Sequence, residues 1–72
     1  MIVLSEEKAK LKALIEHWVH HNDEHMERFL ESVDKAKKLG IHGVADEMRL
    51  AAEKSGDVST HLRNALEHFR GV

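Results

Sequence analysis

The chain contains no cysteine, no proline and no tyrosine, and aromatic residues fill only 4% of its 72 positions. Without cysteine there are no disulfides, no thiolate metal ligands and no cysteine nucleophile. Without proline, nothing forces a break in a long helix. No apolar run approaches the roughly 20 residues of a membrane span, and the opening Met1-Ile2-Val3-Leu4 is too short for a signal peptide. Charge of one sign is missing as well. Eleven basic and thirteen acidic residues are interspersed for a net charge of -2, which leaves no footprint for nucleic acid. The expectation is a soluble cytoplasmic protein with no nucleic-acid and no membrane partner. A glycine-rich phosphate loop and a nucleophile–base constellation are also absent, which argues against an enzyme.

What remains is rich in alanine, leucine, glutamate and lysine, the composition of an all-α protein. Residues 1–72 make one small domain. A chain of this size buries only roughly 60% of its unfolded surface and usually needs a metal, a disulfide or a second copy. Disulfides being excluded, metal and self-association are left.

Ser5 is a suitable N-cap, with Glu6 and Glu7 in the first turn where negative charge suits the helix dipole. An apolar stripe then runs through Leu11, Leu14, Ile15, Trp18, Asn22, His25, Phe29, Val33 and Ala36 in steps of three and four. Trp18 is assigned to the core, and Asn22 to a polar core position that fixes register. The first helix is predicted over about 5–39, closed by Lys35, Lys37, Lys38 and a left-handed Gly40. The second is predicted over about 42–70, with Val44, Met48, Ala51, Ser55, Val58, Leu62, Leu66 and Phe69 as its stripe. Gly56 is a weak point, but the stripe keeps its phase across it, so one continuous helix is expected. The predicted fold is a long antiparallel helical hairpin. Its stripes are too wide for a single neighbouring helix, so two hairpins should pair as a homodimeric four-helix bundle.

Seven histidines are the chemical feature. His17, His21 and His25 recur every four residues, which stacks them on one helix flank with a slant of roughly 40° per step. Neutral imidazoles at i and i+4 can close on one transition-metal ion, and three give overlapping chelate choices. In a hairpin turning near residues 40–42, residues whose numbers sum to about 82 lie level at equal helical rise. His21 is then level with His61 and His25 with Asp57, while His68 falls about one turn further along. The candidate metal ligands are His17, His21, His25, His61, His68 and Asp57. His20 and His42 are expected in solvent, and Glu24 with Arg28 as an i,i+4 ion pair. All-imidazole ligation suits nickel, cobalt, zinc or copper and argues against calcium or magnesium. The Glu-x-x-His pairs of di-iron bundles are absent.

The run His17-Trp18-x-x-His21-Asn22-x-x-His25 resembles small uncharacterised prokaryotic helical-hairpin proteins that carry His-Trp-x-x-His-Asn-x-x-His, some of them linked to nickel or cobalt handling. The resemblance implies that these five residues define the site. Two functions follow as expectations. One is a carrier, buffer or sensor of a divalent transition metal, serving a metal-transport or metalloprotein partner. The other is a helical dimerisation module that docks partners with no metal role.

Overall fold

The computed structural model describes residues 3–70, with side chains from residue 5 onward. Two helices, α1 (Val3–Lys38) and α2 (His42–Glu67), lie antiparallel as a hairpin 60 Å long and 14 × 12 Å across. The all-α hairpin expected from the sequence is the observed fold. No described helix is long and apolar enough to cross a membrane.

The turn is built by Gly40, whose φ of +76° is open to glycine at no steric cost. Its N–H donates to the Lys37 carbonyl at 3.0 Å, and the Ile41 N–H reaches back to the Ala36 carbonyl at 3.0 Å. Those two bonds form a Schellman motif, which satisfies carbonyls that the end of α1 leaves without helical partners.

The ends differ from the sequence reading in two places. The first helix already includes Val3, so Ser5 sits inside it and is not its N-cap. Nothing before Ser5 breaks a helix, and the cap assignment rested on residue type alone. The second helix ends at Glu67 rather than near residue 70. There the N–H groups of His68, Phe69 and Arg70 bond three residues back, to Ala65, Leu66 and Glu67, which tightens the chain into successive turns.

The seam between the helices is made of small residues. Ile15, Val33 and Ala36 of α1 are buried together with Ala45, Ala52, Ser55 and Ser59 of α2. Ala45, Ala52 and Ser59 are spaced by seven, and Met48, Ser55 and Leu62 interleave with them, the alternation of a coiled-coil seam. Leu11, Leu14, Trp18, Val44 and Val58 lie outside the seam and are 43–51% exposed. Trp18 is thus not in the core of a single hairpin. Val44 and Val58 stand 51% and 48% open for the same reason: small side chains let the two axes approach, and the bulky ones are left on the flank. Among the described residues no large side chain is fully buried.

Helix α2 runs unbroken through Gly56, as the phase of the stripe predicted. A methyl group there would meet only the Met26 Sδ at 3.5 Å, an ordinary contact. Gly56→Ala should therefore stabilise the chain by roughly 0.5–1 kcal/mol in urea unfolding, through lower unfolded-state entropy and higher helix propensity. A measured loss of stability would show that the Met26 sulfur cannot be accommodated.

Candidate metal centre

Helix α1 has no proline or glycine between Val3 and Lys38, so its 100° advance per residue holds through the histidine run. The rings form a column. His17 stacks on His21 with centroids 5.8 Å apart and planes 14° off parallel, and His21 meets His25 edge-on at 4.5 Å. His25 in turn lies 6.2 Å from the Phe29 ring. The decisive contact is between the two lower imidazoles: His21 Nε2 and His25 Nε2 are 3.0 Å apart. Metal–nitrogen bonds of about 2.0–2.1 Å meeting at 90–109° would hold two ring nitrogens about 2.9–3.4 Å apart. In a metal-free chain the same contact is a hydrogen bond from whichever ring carries the Nε2 proton.

Both rings border a groove of about 290 Å³ on one broad face of the hairpin, lined also by Trp18, Asn22, Val58 and Leu62. Among the described residues no Asp, Glu, Lys or Arg side chain lines it. The histidine flank thus faces outward, away from the seam.

Beneath the groove is a polar cluster. The Asn22 amide nitrogen donates to the Ser55 carbonyl at 2.6 Å and to Ser59 Oγ at 2.7 Å. Ser55 Oγ donates back to Asn22 Oδ1 at 3.0 Å. Ser59 Oγ donates to Asp23 Oδ1 at 2.6 Å, and Arg63 donates to the other Asp23 oxygen. The Ser59 hydroxyl first, and then the Arg63 guanidinium, hold the Asp23 carboxyl below the usual carboxylate range against the opposing effect of desolvation. A lowered carboxylate contributes stability that is complete above its ordinary titration range and is lost as pH falls through the lowered value.

Register agrees with the levelling argument, since Asp23 meets Ser59 and Met26 approaches Gly56, both pairs summing to 82. Level is not the same as contact, however. His61, His68 and Asp57 are exposed. His61 stands three residues past Val58, which turns it roughly 60° away from the groove. Among the described residues no three His, Asp or Glu side chains converge on one point. The single chain thus unites His21 with His25, keeps His17 one turn away, and does not bring His61, His68 or Asp57 to them. His20 is 80% exposed, lies roughly 100° around the helix from His21, and bonds Glu24 Oε1 at 3.0 Å. Glu24 therefore pairs backward with His20, and no pair with Arg28 occurs among the described residues. Ser55, Ser59 and Arg63 were missed as partners of Asn22 and Asp23, although the same levelling places Ser59 opposite both.

Residues 11–69 match the domain of unknown function DUF8180, a span that includes the histidine column, the groove and the polar cluster. The chain belongs to the DUF8180 family. A relative in Archaeoglobus fulgidus, described as an uncharacterized protein, is 38% identical over 58 residues, covering 81% of this chain and 92% of its own length. No solved structure matches this DUF8180 chain.

Proposed function

We propose that this chain is a divalent transition-metal binding module, a carrier, buffer or sensor, in which His21 and His25 form the primary chelate. The observation that carries the reading is the 3.0 Å approach of the two Nε2 atoms, already at the spacing of adjacent ligands on one ion. Imidazole nitrogen selects zinc, nickel, cobalt or copper(II) over hard cations. His17, stacked on His21, offers a second chelate choice one turn up the column. Two imidazoles from one chain leave coordination positions open for further donors.

Isothermal titration of metal-free protein with zinc, nickel and cobalt at pH 7.5 tests this. Saturable binding is expected, with at least a tenfold loss of affinity in His21→Ala and little change in His20→Ala, whose ring bonds Glu24 and lies roughly 100° around the helix from His21. No heat of binding for any of the three ions would sink the reading. The second reading, a helical interaction module, is favoured by the row of half-exposed apolar residues on the histidine face, Leu14, Trp18 and Val58 among them.

A further inference from the structure

The two-ligand chelate and the open apolar groove around it have a common resolution. We infer that a second copy of this chain covers the groove, and that its His21 and His25 complete one metal site of four imidazoles, two from each copy. The inference rests on the metal-binding reading and adds the partner that fills the coordination sphere.

Three observations point to a second copy. The first is area. A compact chain of 8.2 kDa exposes about 4,500 Å², whereas this hairpin exposes 5690 Å². The surplus, roughly 1,200 Å², exceeds the roughly 800 Å² per partner of an ordinary stable interface. The radius of gyration, 16.9 Å, against about 11 Å for a compact 72-residue fold, says the same of shape.

The second is the composition of the face. Leu14, Trp18, His21 and His25 follow one another in steps of four, three and four along α1, and Val58 and Leu62 border them from α2. The groove lining is uncharged, so two copies of a chain of net charge -2 can meet there without opposing like charges at the centre.

The third is position. The first helix and its turn span residues 3–41, whose midpoint is residue 22, so the His21–His25 pair sits within about 2 Å of mid-length at 1.5 Å rise per residue. Two rods joined by a two-fold axis overlap fully in two ways. With the axis along the bundle, equivalent residues share a level. With the axis across the bundle, full overlap puts that axis at mid-length. Both arrangements bring the two histidine pairs to one level on facing surfaces. Two neutral imidazoles from each copy then supply the four ligands of a closed zinc site, and a chain alone supplies half of it.

Native mass spectrometry with zinc, paired with light scattering at micromolar protein, tests the assignment. One zinc per two chains in a dimer is expected. Trp18→Gln, which removes the apolar anchor without adding a carboxylate beside His21, should yield a monomer with at least a hundredfold weaker zinc binding. Trp18 is already 44% exposed in one hairpin, so its helical content should persist by circular dichroism. Val58→Gln is the second variant should Trp18→Gln fail to fold. One zinc per chain, or a monomeric variant that keeps full affinity, would overturn the shared site while leaving the metal reading intact. No zinc bound in any state would remove both.

Discussion

Asn22→Ala should lower the melting temperature by roughly 10–20 °C. Among the described residues Asn22 alone bonds both buried serines of the seam, giving two hydrogen bonds and accepting one at 3.0 Å or less. Truncation leaves Ser55 Oγ without its best acceptor at a site 7% exposed, and opens a void between the helices. A lost buried hydrogen-bond set of this kind costs about 2–3 kcal/mol, and each kcal/mol moves the midpoint of a 60–100-residue domain by about 4–8 °C. Total stability for a chain this size is on the order of 4–11 kcal/mol, so the variant stays folded but marginal. Replacing the cluster as a unit, with Asn22→Leu, Ser55→Ala and Ser59→Ala together, should recover much of the loss, because no polar atom is then stranded. Register should persist in the recovered protein, because the short turn at Gly40 ties the two helices together and forbids sliding by a heptad. Thermal unfolding of both variants measures the first effect, and distances between spin labels at the two helix ends measure the second. An Asn22→Ala midpoint within 3 °C of the parent would show that the cluster is incidental.

The second large effect is linkage to metal. With free zinc at 100 times its dissociation constant, binding to the folded state alone adds about 2.7 kcal/mol, again a rise of roughly 10–20 °C. Protons oppose it. Only neutral imidazole ligates, and an ordinary histidine titrates near about 6.5. The bound ion favours the neutral form in the folded state. The added stability is therefore complete above that range and fades as pH falls below it. Nothing charged lines the groove face, where Trp18, Asn22, Val58 and Leu62 surround the pair, so no neighbouring side chain there competes for the ion. The rise should vanish in His25→Ala and persist in His20→Ala. An unchanged melting curve at pH 7.5 with zinc, nickel and cobalt would leave the column a polar flank.

Two helices, their turn and their register were legible because each rests on local chemistry. Gly40 after three lysines fixes the turn, and an uninterrupted 3.6 period fixes the arms. The histidine column was legible for the same reason, being a matter of spacing within one helix. The seam was not. Val44 and Val58 read as core because they are large and apolar, yet Ala45, Ala52 and Ser59 are what the partner helix covers. Size favours burial only when space is available, and a close helix pair admits only small side chains. The same rotation moved Trp18 outward and took His61 and Asp57 away from His21 and His25. Levels along an axis can be counted from residue numbers, but angles around it depend on which face packs, and that is a property of the pair.

The apolar cluster of Val33, Ala36, Ala45 and Met48 lies immediately beside the turn. Closing a loop of a dozen residues is entropically cheaper than closing one of thirty-odd, by about 1 kcal/mol at (3/2)RT ln n. The chain therefore gains its best apolar contacts where loop closure costs least, while the Asn22–Ser55 contact, 33 residues apart in sequence, closes the longer loop. The contacts beside the turn and the Asn22–Ser55 bonds thus secure the turn-side half of the rod up to the level of the histidines.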